Sequence, residues 1–209
     1  RQQRIDRQDW SPQRRAAREV PDPDLVEKVD DGLLPRVGPD GTRPWRAYAR
    51  AVPPAPPGAG RVAIIVTGLG LSATTNEMAF ARLPPEVAVA LTPYAGQPQA
   101  VFERARASGR EAWLHVPMEP NDFPASDPGP RTLLVGTSAP QNLERLRWSM
   151  ARFAGYVGIV PMQGSRFTAA TEALRPIVEE ARARGVAILD DGSSSRSQIV
   201  EVARAAGAA

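Results

Sequence analysis

The single histidine of the chain, His115, is followed four residues later by Glu119 in the run His115-Val116-Pro117-Met118-Glu119-Pro120. An imidazole and a carboxylate so placed suit a divalent cation or proton transfer. A structural histidine is the competing reading, and the two prolines give this backbone a shape worth specifying. Three further stretches carry related groups. In Gln163-Gly164-Ser165-Arg166 a glycine allows close backbone approach, and the guanidinium can hold an anion or pair with a carboxylate. Asp190-Asp191-Gly192 offers adjacent carboxylates for a metal, and with the serines that follow it equally describes a turn and a helix cap. Thr67-Gly68-Leu69-Gly70 is a glycine-rich turn of the sort that cradles phosphate. Ala73 stands at the third glycine position and no acid follows Leu91-Thr92-Pro93, so a tight structural turn explains it better than a dinucleotide site.

Each stretch sits just after a segment that reads as a strand. Apolar runs predict strands over 62–66, 87–91, 111–115, 156–160 and 186–189, and Val62-Ala63-Ile64-Ile65-Val66 has the continuous character of a fully buried one. Between them, helices are expected over 75–82, with Ser72 or Thr74 as cap, and over 97–107, 139–153, 170–184 and 197–206. Pro176 should kink or shorten the fourth of these. Strands alternating with helices through mostly short connections predict an α/β fold, a parallel sheet or barrel with helical cover. In either architecture ligands bind at the carboxyl ends of the strands, where these residues lie.

The chain has 209 residues, 42% hydrophobic and 23% charged, which suits one domain with a buried core. Residues 1–60 differ from the rest. They are polar and then proline-rich, ending in Pro53-Pro54-Ala55-Pro56-Pro57-Gly58, and read as an arm or tether ahead of a domain over 61–209. A helix is conceivable near 13–20, while Leu33-Leu34-Pro35 and Trp45 to Tyr48 could pack onto the main body. The net charge is +3, yet the basic residues are scattered among acids and not gathered on a stripe, which argues against nucleic acid as a partner. With no cysteine there are no disulfides and no thiolate metal sites or nucleophiles. No window of 18 apolar residues exists for a membrane span. The opening Arg1-Gln2-Gln3-Arg4 suggests a processed or truncated product whose signal or anchor would lie upstream.

Taken in order, Leu33-Leu34-Pro35, Asp40-Gly41, Tyr48-Ala49-Arg50, Val62 to Gly70, Pro117-Met118-Glu119-Pro120, Asp127-Pro128-Gly129-Pro130, Gly164-Ser165-Arg166-Phe167 and Leu189-Asp190-Asp191 resemble the divergent polysaccharide deacetylase family of Gram-negative envelope proteins. The resemblance covers about residues 30–209. It implies a NodB-like irregular (β/α) barrel of about seven strands, of which five are visible here, so the barrel is expected to be incomplete at its C-terminal end. It also implies a periplasmic protein held at the inner membrane by a segment outside this chain.

In active NodB-type enzymes one Asp and two His hold a metal, zinc or another divalent ion, that polarises an N-acetyl carbonyl and activates water, with a neighbouring Asp as base. Carried onto this chain, the two aspartates fall on Thr67 and Gly68, which supply no carboxylate. The first metal histidine falls on His115 and the second on Glu119; a later family histidine falls on Met162 or Gln163, and the later acid on Asp190, with Asp191 beside it. Two readings follow. His115, Glu119 and Asp190 or Asp191 assemble a rewired metal site for N-deacetylation of an envelope glycan, such as peptidoglycan or another N-acetylated polysaccharide. Alternatively, the constellation is degenerate, no metal is held, and the mouth binds glycan or an envelope protein without turnover. Tyr94, Gln163 and Arg166 are the expected substrate contacts, with Trp113, Trp148, Tyr156 and Phe167 as further aromatic candidates. A nucleotide-dependent enzyme ranks below both.

Overall fold

The computed structural model describes residues 20–209. The helix expected near 13–20 therefore lies outside the described residues but for its last position. A short antiparallel hairpin, β1 (Val26–Val29) and β2 (Gly32–Pro35), is followed by the one-turn helix α1 (Pro44–Tyr48). Then come β3 (Ile65–Leu69), α2 (Ala73–Arg82), β4 (Ala88–Leu91), α3 (Pro98–Ala107), β5 (Ala112–Met118), α4 (Ala139–Met150), β6 (Gly158–Gln163), α5 (Thr171–Ala183), β7 (Ala187–Ile188) and α6 (Ile199–Ala206). Strands β3 to β7 make one parallel sheet in sequential order, the connectivity of a (β/α) barrel.

Register divides the sheet into two faces. Val89, Leu91, Leu114, Val116, Met118 and Ile159 join the main apolar core with Phe102, Leu146, Met150, Leu174 and Ile177 from α3, α4 and α5. Side chains alternate along a strand, so Ala90, Trp113, His115 and Val160 belong to the opposite face. That face carries the only histidine.

Two strands outrun their sequence-based limits. β5 continues through Pro117 to Met118 and β6 through Pro161 to Gln163, although proline within a central strand removes a ladder donor. Each proline carbonyl has found another donor: the Pro117 oxygen accepts from Leu133 N at 2.9 Å, and the Pro161 oxygen lies 2.9 Å from His115 Nε2. The run at 62–66 departs the other way. β3 starts only at Ile65 and is an edge strand paired to β4 alone, with Val62 87% and Ile64 56% exposed. Apolar continuity does not distinguish an edge from a central strand. Nor does Pro176 shorten its helix: α5 runs through it, held to the core by Leu174, Ile177, Val178 and Ala181.

Of the proline-rich segment, residues 20–50 lie against the sheet domain. Leu25, Tyr48 and Val157 form a small second core with Trp45 and Trp113, and the Tyr48 hydroxyl accepts from Asp22 N at 3.0 Å. Arg184, at the end of α5, donates to Glu27 of the hairpin and to the Pro35 carbonyl, and pairs with Glu180, which Arg147 also grips through two nitrogens. Gly185, at φ +68, lets Pro44 approach so closely that a Cβ there would sit 2.9 Å from Pro44 Cδ. Residues 51–64 carry no regular element and are exposed almost throughout.

Arg110 is buried, with 2% exposure, and ends the α2 region. Its guanidinium donates to the carbonyls of Phe80, Leu83 and Pro84, carbonyls that a helix end leaves unpaired. Arg110→Ala would strand these acceptors and empty a large volume, an expected loss of about 3 kcal/mol in a denaturant titration. A change within experimental error would show that water or neighbouring groups replace the guanidinium.

Candidate functional site

His115 stands on β5 with 7% exposure. Its Nε2 lies 2.9 Å from the Pro161 carbonyl, which accepts, so the neutral ring carries its proton on Nε2. Nδ1 is left as a buried lone pair with no hydrogen-bond partner. Burial pushes the imidazole down to about 4, against the smaller raising effects of the Pro161 carbonyl and the Asp191 charge. The ring is therefore neutral at pH 7 and presents a pure acceptor.

Glu119 is 4% exposed and every part of it is engaged. The loop leaving β5 folds back so that Leu133 bridges Met118 in parallel, which brings Val135 N to 2.6 Å from Glu119 Oε2. Arg166, from the turn after β6, reaches Oε1 at 2.8 Å. The Glu119 carbonyl accepts from Arg166 N and Phe167 N, and its own N–H donates to Leu133 O. A buried carboxylate needs such partners to remain charged. Glu119 and Arg166, expected as metal ligand and substrate contact, are first of all partners of one another.

The remaining expected residues lie at and after the ends of β6 and β7. Gln163 ends β6 exposed and at φ +63, the one non-glycine described residue in the left-handed region. Such a conformation costs energy that surrounding structure must hold, and it turns the amide out at the strand end. Asp190 Oδ1 accepts from Gly192 N and Asp191 Oδ1 from Ser193 N, so each closes a turn through one oxygen. α6 begins at Ile199 after Gln198, whose side chain makes no cap, while Ser197 Oγ accepts from Ile199 N, the first N–H of the helix. Two residues missed from sequence complete the rim. Asn121 N donates to Ser165 Oγ at 3.0 Å, and Arg196 donates to Asn121 Oδ1 at 3.2 Å, tying the loops after β5, β6 and β7 together. Neither belongs to a local pattern that would mark it.

At the end of β3, Thr67 and Gly68 are exposed. Gly70 N donates to the buried Asn76 Oδ1, and a Cβ on Gly70 would meet Thr92 Cγ2 at 2.8 Å, so this glycine turn is shaped by packing. Ser72 caps α2 by accepting from Thr75 N.

Among the aromatic candidates, Tyr156 and Phe167 are buried in the core, and Trp113 packs with the second cluster. Tyr94 has its hydroxyl accepting from Arg131 N at 3.0 Å, and its ring lies against Gly129 on one side and 5.8 Å from Trp148. It clamps the 127–131 loop and does not present an open platform.

The donor set does not fit the metal centre that the family resemblance implies. His115 Nδ1 suits a metal, with its second nitrogen fixed by a carbonyl as ligating histidines usually are. The Glu119 oxygens, however, are held by a guanidinium and a backbone N–H, and Thr67 and Gly68 contribute no carboxylate. Among the described residues no three His, Cys, Asp or Glu side chains gather into a metal-holding group.

Two consequences are measurable. The unfolded histidine titrates near 6.5 and the folded one near 4, so the unfolded chain binds the extra proton between these values. His115 stability is thus fully present above about pH 6.5 and is lost as pH falls toward 4, up to about 3 kcal/mol. His115→Gln keeps an amide donor for Pro161 O and should flatten that part of the pH–stability curve; equal slopes in both proteins would refute the assignment. Glu119→Gln keeps an acceptor for Val135 N and removes the ion pair with half-exposed Arg166, an expected loss of about 2 kcal/mol in chemical denaturation.

Comparison with known proteins bears on the family. The family model for the divergent polysaccharide deacetylases matches residues 64–209. The crystal structure of an uncharacterized protein from Agrobacterium tumefaciens superposes with a TM-score of 0.81 at 42% identity, covering 85% of this chain and 71% of that one. An uncharacterized protein of Haemophilus influenzae is 24% identical over 147 residues, which are 70% of this chain; the chain spans only 51% of that relative's length. No helix among the described residues is long and apolar enough to cross a membrane. With a five-stranded sequential parallel sheet, helical cover and a model match over most of its length, the chain belongs to the divergent polysaccharide deacetylase family.

Proposed function

We propose that this chain is a glycan-recognising member of its family in the Gram-negative envelope, on the periplasmic side of the inner membrane. Its mouth binds an envelope polysaccharide without metal-dependent N-deacetylation. One observation carries the reading: the residue at the second metal-histidine position, Glu119, is buried and committed to Arg166 and to Val135 N. A metal competing for that carboxylate would have to displace a guanidinium and leave a backbone donor unpaired, each at a cost of about 1–3 kcal/mol.

The rim that remains suits saccharide hydroxyls and amides. Gln163, Asn121, Ser165 and Arg196 offer donors and acceptors from three strand-end loops, and neutral His115 presents one acceptor below them.

The test measures metal content, acetate release and binding on one preparation made without chelator. Expected are a metal content far below one ion per chain after zinc reconstitution, no acetate from N-acetylated oligosaccharides, and measurable binding of the same oligosaccharides. One zinc per chain, lost in His115→Ala and accompanied by acetate release, would overturn the reading and restore a rewired hydrolase.

A further inference from the structure

We propose that Arg131, Arg145 and Arg152, set around Trp148, form a binding site for a carboxylate-bearing saccharide. The inference rests on the glycan reading above and narrows it to an acidic chain.

The four residues come from separated stretches that the fold brings together. Arg145 and Trp148 are three residues apart on α4 and share a helix face, and Arg152 follows the helix end by two residues. Arg131 arrives in the long loop after β5, where Tyr94 fixes its backbone N–H. The guanidinium carbons of Arg131 and Arg152 lie 5.4 and 5.1 Å from the Trp148 ring centroid, within cation–π range. Asp127, Arg131 and Arg145 all act electrostatically on the Tyr94 hydroxyl, Asp127 the most strongly and with the opposite sign to the arginines.

Each guanidinium is held in place but not used up. Arg145 donates to the Thr132 carbonyl at 2.6 Å and Arg152 to the Pro93 carbonyl at 3.3 Å, bonds that orient the groups without neutralising them. Arg131 has an acidic partner, Glu144, at 3.3 Å; both side chains are well exposed, so the pair is weak and easily exchanged. Asp127, the other nearby acid, has Oδ1 accepting from Gly129 N. Two cations thus flank one indole with a third on the same helix face, against two exposed acids, Glu144 and Asp127.

A ligand carboxylate at such a group would meet a planar fork of donors. A sugar ring would lie along the Trp148 edge while its carboxylate faces the arginines.

The experiment is calorimetric titration of the full chain at low and physiological salt with two probes, a galacturonate hexamer and the neutral N-acetylglucosamine hexamer. The variants are Arg145→Gln/Arg152→Gln and Arg152→Gln alone. The proposal expects the acidic hexamer to bind about tenfold more tightly than the neutral one at low salt, with the margin shrinking as salt rises. It also expects the margin to vanish in the double variant and to fall in the single one. Should the double variant not fold, the single variant and the salt series decide. Equal affinity for both hexamers would overturn this inference and leave the glycan reading standing. An acidic preference unchanged in the variants would place the anion elsewhere and overturn it too. Binding of neither hexamer would remove the glycan reading itself, and this site with it.

Discussion

A buried carboxylate cannot stay charged without partners, and in this chain that requirement falls on Glu119. Meeting it draws the loop after β5 back across its own strand until Leu133 and Val135 are within bonding range, and draws the turn after β6 inward through Arg166. The backbone of Glu119 repeats the pattern with Leu133, Arg166 and Phe167. Two connections that would otherwise move independently over the strand ends are thereby fixed to one residue. The positions of Asn121, Ser165 and Gln163 follow from that constraint.

How much of this was legible in the residues depends on what kind of signal each element gives. The alternation of strands and helices, the parallel sheet and the placing of Gln163 and Asp190 at or beside strand ends follow from periodicity and turn residues, and the folded chain has them so; His115, expected at a strand end, stands instead in the middle of β5. The strand limits at Pro117 and Pro161 were hidden because proline normally argues against a central strand. Here the proline carbonyls are held by Leu133 N and His115 Nε2, groups distant in the sequence. The edge position of β3 was hidden for a related reason: a run such as 62–66 states its polarity but not its neighbours. The Glu119–Arg166 pair spans two loops, so spacing along the chain carries no trace of it.

Charge shows the same limit in a different form. Arginines that look scattered among acids become a group when α4 and the loop after β5 are folded against each other. Arg110, by contrast, serves carbonyl groups alone at the end of α2. Net charge and its linear distribution therefore said little about either, because what separates an arginine that staples carbonyls from one that faces solvent is burial.

The open end of β3 has an implication for reversibility. Thr67 and Gly68 are exposed, and nothing lies within 4 Å of a Cβ built on Gly68. Aspartates at these positions are thus not excluded by crowding; at Gly68 the main obstacle is a backbone at φ +76, which Asp tolerates better than most side chains. At Glu119 the situation is opposite. An imidazole there would leave Arg166 without its counter-charge and would have to replace the carboxylate as acceptor for Val135 N. Placing acids on β3 is therefore a local edit, whereas placing a histidine at Glu119, just past β5, means rebuilding the joint between two loops. The more tightly committed of the two positions is therefore the one that already carries a carboxylate.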